Sequence, residues 1–187
     1  MEKYYFDKPQ PRLTAGDGVV LLLINGREEK RTVHMPDEQP TEQTEWVYNG
    51  VRLETGGMTS EAALTAAAQK MVLAEIEKHD SSSAVNGFVL NGQRVWLDKA
   101  TRVGLMNSTS IAKGMGQPTT TLWLGDAKLV VECDKAIQLL SALEMYALEC
   151  FNVTAAHKKA VAEMSTVEEV LGYDYTAGYP KMLEMSV

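Results

Sequence analysis

Cysteine is scarce in this 187-residue chain: Cys133 and Cys150 are too few for a disulfide framework and too far apart for a close-spaced metal knuckle. Both are expected as reduced, buried thiols. Histidine is nearly as sparse. His34, His79 and His157 lie in three separate segments with no spacing that sets two imidazoles on one helix face, so no bound metal is expected. Clustered positive charge is missing as well. The 18 Lys and Arg are scattered among 25 Asp and Glu, and a net charge of −7 is the wrong footprint for a phosphate backbone, which excludes nucleic acid as the expected partner. The longest apolar run, VVLLLI from Val19 to Ile24, falls far short of the roughly 20 residues that span a bilayer. Met1 to Phe6 also lacks the apolar core of a signal peptide, so the expectation is a cytoplasmic or virion-associated protein with no membrane partner.

What remains is a chain of ordinary globular composition whose elements alternate between hairpins and helices. MEKYYFDKPQPRL carries two closely spaced prolines, which favour an extended arm over a central strand. In VVLLLINGREEKRTV, Asn25-Gly26 is read as a two-residue turn pairing Val19 to Ile24 with Glu28 to Val33. PDEQPTEQTE reads as a solvated loop, and EWVYNGVRLE as a second hairpin turning at Asn49-Gly50. From Thr59 the period changes to that of an alanine-rich helix with Thr59 or Ser60 as N-cap. VNGFVLNGQRVWLD then turns at Asn91-Gly92, which places Phe88, Leu90, Val95 and Leu97 on one side and Trp96 on the other.

Asp98 stands as N-cap to a helix that Gly114 ends. The same grammar recurs in TTTLWLGDAKLVVECD, with Gly125-Asp126 as turn, Trp123 opposite the apolar face and Asp134 as the next N-cap. Ile137, Leu140, Leu143, Tyr146 and Ala147 make the broad apolar stripe of the helix that follows. Asn152-Val153-Thr154 is expected to break it and Thr154 to cap a new short helix, while Thr166 and Glu169 have capping-box spacing. The division expected is a β-rich segment over 1–57, a connecting helix over 58–84 and a C-terminal α+β domain over 85–187. The fold class is α+β, with small antiparallel sheets built from β-hairpins packed against several α-helices.

Catalytic patterns are weaker than their bland alternatives. GMGQP follows a helix and reads as a C-cap and loop, not as the strand-to-helix glycine turn of a nucleotide site. Glu28-Glu29 and Glu168-Glu169 are sequence neighbours whose side chains diverge, so neither is an acid/base dyad. His157 beside Lys158 and Lys159 suits a solvated helix face, and the expected break after Phe151 separates it from the Cys150 thiol. Neither an enzyme nor a cofactor is expected.

Four stretches in order, NGFVLNGQRVWLDKATRVGL, TTTLWLG, ALEMYALECFNVTAAHKKAV and EEVLGYDYTAGYP, resemble an uncharacterised domain family, domain of unknown function 4376. That family is found in bacterial and bacteriophage proteins, often in prophage regions near tail-fibre genes. The resemblance spans about residues 70 to 183 and brings no catalytic or ligand residues with it. It implies a non-enzymatic virion component or assembly factor of a tail or tail fibre, whose protein partner is a tail-fibre protein or a second copy. The competing class is a small prophage cargo enzyme or ligand-binding protein. A cleft of perturbed titratable groups favours the cargo class, and an exposed apolar patch favours the structural one.

Five aromatic residues are the candidate interaction sites. Trp96 and Trp123, placed alike on two hairpins, are expected to bury against helices on the second face of the sheet, and to bind a partner if they do not. Tyr173, Tyr175 and Tyr179 alternate with turn formers in GYDYTAGYP, which either covers the stripe of the helix from Asp134 or presents the tyrosines to a partner.

Overall fold

Apolar alternation near the N-terminal end and alanine-rich periods after Thr59 produce both kinds of element; the computed structural model describes them over residues 1–33 and 41–186. In chain order the first are strands β1 (Glu2–Phe6), β2 (Leu13–Gly16), β3 (Val19–Val33) and β4 (Thr41–Glu54), then helices α1 (Glu61–Asp80) and α2 (Ser83–Asn86). Strands β5 (Gly87–Leu90) and β6 (Gln93–Trp96) lead to helix α3 (Lys99–Gly114), and β7 (Thr119–Leu124) and β8 (Ala127–Glu132) lead to α4 (Cys133–Glu163). Helix α5 (Val167–Gly172) and strand β9 (Leu183–Met185) follow. The class is α+β. The chain forms two compact units, Met1–Met71 with Met164–Gly172, and Val72–Glu163 with Tyr173–Val187, so one boundary falls inside α1.

The first unit is built on an antiparallel sheet of order β1-β4-β3-β2. Neither Asn-Gly pair in it is a turn. Asn25, at φ 56°, sits where the register between β3 and β4 shifts, so the chain runs on through a bulge; a left-handed residue serves a bulge as well as it serves a tight turn. Asn49 and Gly50 lie inside β4, paired with β1 on one side and β3 on the other. Gly50 is there because the Tyr4 ring of β1 lies over it, in the space a side chain would fill. The hairpin turn is instead Asp17-Gly18 between β2 and β3, both at positive φ. Of the expected acidic loop, Thr41 to Glu45 are strand, and Pro36 to Pro40 lie outside the described residues. In α5 the capping box forms, with the Glu169 amide donating to Thr166 and the Thr166 amide to the Glu169 carboxylate.

In the second unit Asn91-Gly92 does turn a hairpin, with φ of 49° and 81°, and Phe88 pairs with Val95. Phe88, Leu90, Val95 and Leu97 join Leu122, Leu124 and Val131 of the next hairpin and Ala136, Leu139, Leu140 and Leu143 of α4 in one buried cluster. Leu183 and Met185 pack against it from β9. That strand pairs in parallel with β5, an exception to the antiparallel pattern that no local sequence rule announces.

Three expectations are corrected here. The tryptophans do not bury: Trp96 is 41% exposed and Trp123 58%, because the cluster fills only the Phe88 side of the hairpins. Helix α4 starts at Cys133, so Asp134 lies in its first turn and pairs with Lys113 instead of capping. Nor does α4 break at Asn152. It runs through to Glu163 because Thr154, a poor helix former in isolation, is buried and its hydroxyl donates to Asp80 at 2.8 Å. Among the described residues no helix is long and apolar enough to cross a membrane.

Candidate functional site

The start of α3 is fixed by Asp98, whose carboxylate accepts from the Thr101 amide at 2.9 Å and from its hydroxyl at 2.6 Å. Those two bonds hold the Asp98 carboxyl below the usual range. One turn on, Arg102 is almost wholly buried. Its Nη1 donates to the Leu97 carbonyl at 2.7 Å and its Nε to Glu144 of α4 at 2.9 Å, so the end of β6, the start of α3 and the middle of α4 meet on one guanidinium.

Above that junction opens a cleft of about 480 Å³. Trp96 forms one wall, Ala147, Leu148 and Phe151 of α4 another, and Asp80, Ser81 and Asn86 close an end. Phe151 is 60% exposed and Leu148 48%, and Met145, one turn before Leu148, is 59% exposed. Of the charged groups at the cleft, Arg102 has Glu144 and Leu97, Asp98 has Thr101 and Asp80 has Thr154, while Lys99 is exposed to water. What the cleft offers is apolar and aromatic surface.

The three tyrosines gather elsewhere in the same unit. The Nε2–H of His157 donates to the Ala177 carbonyl at 2.9 Å, and its Nδ1 is hydrogen-bonded to the Tyr173 hydroxyl at 2.7 Å. Tyr179 meets the Thr154 hydroxyl at 3.0 Å, and its ring lies 5.4 Å from His79 and 5.6 Å from His157. Tyr175 packs edge-on against His79. The segment thus lies back on the C-terminal half of α4. Trp123 stands apart from both places, its ring 6.0 Å below the Lys128 ammonium across the strand pair.

Burial raises the Cys150 thiol above its ordinary pKa, and it donates to the Val85 carbonyl, the opposite of an activated nucleophile. Cys133 is likewise buried and free of any disulfide. Among the described residues no three His, Cys, Asp or Glu gather closely enough to hold a metal ion.

Of the five aromatic candidates named from sequence, Trp96 alone lines the cleft. Met145, Leu148, Phe151, Arg102 and Glu144 were missed. The signal was present in ALEMYALECF, where apolar residues remain on the far side of the helix after the core stripe has been drawn.

The model of a family described as a domain of unknown function (DUF4376) matches residues 67–177 of the chain. No curated protein and no solved structure matches the chain.

Proposed function

The chain belongs to the DUF4376 family, and from that premise we propose that it is a non-enzymatic structural or assembly protein that works by docking another protein chain on the Trp96 cleft. The observation that carries this reading is the set of water-exposed large residues, Trp96, Leu148 and Phe151, ranged round a cleft whose buried Arg102 is already held by Glu144. Exposed aromatic area next to a hollow is the usual composition of a protein-binding hot spot. The displaced titratable groups support a non-catalytic role: Asp98, Glu169 and Asp174 are lowered by threonine and backbone donors of their own turns, Tyr146, Tyr179 and Cys150 are raised by burial, and Tyr4 is raised by its hydrogen bond to Glu2. None belongs to a pair pushed in opposite directions at one cleft, as acid/base chemistry requires.

The setting we propose is the tail or tail fibre of a bacteriophage or prophage, with a protein partner, no nucleic acid and no membrane. That setting rests on the resemblance of the ordered motifs. The test is affinity capture by the tagged chain from cells expressing the tail-fibre gene beside its own. A fibre protein retained by the native chain and lost with Phe151→Asp supports docking at the cleft; equal retention by both removes the cleft from the reading.

A second reading, prophage cargo that binds a small ligand, is favoured by the cleft volume, which lies within the range of small-molecule sites, ~300 to 1,000 Å³. A metabolite that raises the thermal midpoint of the native chain but not of Trp96→Ala would select it.

A further inference from the structure

The exposed face of α4 has an order of residues that fits itself. Around Leu148, Met145 stands three positions before and Phe151 three after, and Ser141 stands seven before and Ala155 seven after. All five are exposed. With 3.6 residues per turn they fall within about 60° on either side of Leu148, along about 21 Å of helix. The sequence of sizes is small, large, leucine, large, small, and it reads the same in both directions.

A surface of that kind is complementary to its own copy under a two-fold axis perpendicular to the helix, the arrangement of an isologous dimer. Antiparallel pairing sets Leu148 level with Leu148, Met145 level with Phe151, and Ser141 level with Ala155, so bulky pairs are flanked by small ones that let the helices approach. Parallel pairing would instead stack Met on Met and Phe on Phe and leave the small residues without a matching function.

The cleft adds a second, independent match. Glu144, Ala147 and Phe151 lie to one side of Leu148 on α4, and that is the side on which the cleft opens. A two-fold axis of this orientation keeps sides unchanged, so Phe151 of the second copy arrives on the cleft side, at the level of Met145. The cleft it enters there is lined by Trp96, Glu144, Ala147 and Leu148. Glu144, the one carboxylate inside this sector, is already held by Arg102 and sets no bare charge against the incoming ring.

We propose that the chain forms an antiparallel homodimer through α4, with Leu148 on the two-fold axis and Phe151 of each copy seated in the other's cleft. This rests on the docking reading of the cleft and names its occupant.

Sedimentation equilibrium of the full chain at about 100 μM populates a dimer even if its Kd is ~10 μM. The expected mass is that of two chains, falling to one chain in Leu148→Lys with the far-ultraviolet circular dichroism unchanged. Register is read with a short bismaleimide. Leu148→Cys links to itself above the native background, whereas Ser141→Cys links only when mixed with Ala155→Cys. A monomeric native chain, a dimer that survives Leu148→Lys, or Ser141→Cys linking to itself overturns the proposal. A native chain that is monomeric yet still captures another protein through Phe151 overturns the dimer alone and leaves the docking reading standing.

Discussion

The hydroxyl of Tyr146 donates to the main-chain carbonyl of Val85 at 2.8 Å, and both residues are buried. The Cys150 thiol donates to the same oxygen at 3.2 Å. Burial pushes the Tyr146 phenol up to about 12. Its folded pKa therefore exceeds the ordinary value of 10.0. The stabilisation is complete below pH 10 and is lost as pH rises from 10 toward 12, where the unfolded chain releases the proton first. Urea midpoints measured across that window should fall more steeply for the native chain than for Tyr146→Phe.

Breaking the His157 junction leaves two groups without partners, the Ala177 carbonyl and the Tyr173 hydroxyl. His157→Ala should cost about 2 to 3 kcal/mol in urea denaturation. Tyr173→Phe removes one bond from a ring that stays packed, and should cost about 1 kcal/mol.

Arg102 and Glu144 are not equivalent partners. Arg102→Ala strips the Leu97 carbonyl of its donor and empties a buried position, for an expected loss of about 3 kcal/mol. Glu144→Gln keeps an oxygen for Arg102 to reach at a position open to water, and should cost under ~1 kcal/mol. Chemical denaturation of the two variants side by side distinguishes them.

Trp96→Ala and Trp123→Ala should each cost under ~1 kcal/mol, the scale of a surface change. Phe88→Ala, at the centre of the buried cluster, should cost about 3 to 5 kcal/mol under the same conditions.

Gly50→Ala sets a methyl group into the Tyr4 ring and should lower the thermal midpoint. In the double variant Gly50→Ala with Tyr4→Ala most of the methyl's own penalty should vanish, a coupling that a double-mutant cycle reads directly.

Three of the four Asn-Gly pairs explain what was legible in the sequence and what was not. The dipeptide advertises tolerance of positive φ and the lack of a side chain, but the neighbours decide how that tolerance is used. At Asn91 it makes a turn, at Asn25 a bulge, and at Gly50 room for a tyrosine ring. Strand period correctly separated Phe88, Leu90, Val95 and Leu97 from Trp96, since alternation is a property of the backbone. It could not say which side would be covered, because the cover comes from α4 and from residues near 183. The same limit hid the cleft. Trp96 was visible as an aromatic residue on a hairpin, but Arg102 and Glu144 stand 42 residues apart and meet only in the folded chain.

Strand β9 has a consequence for the order in which the protein is made. The sheet of order β1-β4-β3-β2 has all its strands once residue 54 is synthesised. The sheet containing β5 must wait for residues 183 to 185, nearly a hundred positions after its own first strand. Synthesis at ~5 to 20 residues per second therefore leaves β5 and β6 for seconds without their neighbour, with the apolar face meant for Leu183 and Met185 open to whatever is near. On the ribosome the strands of the first sheet can pair early, while β5 waits for the strand that completes its own.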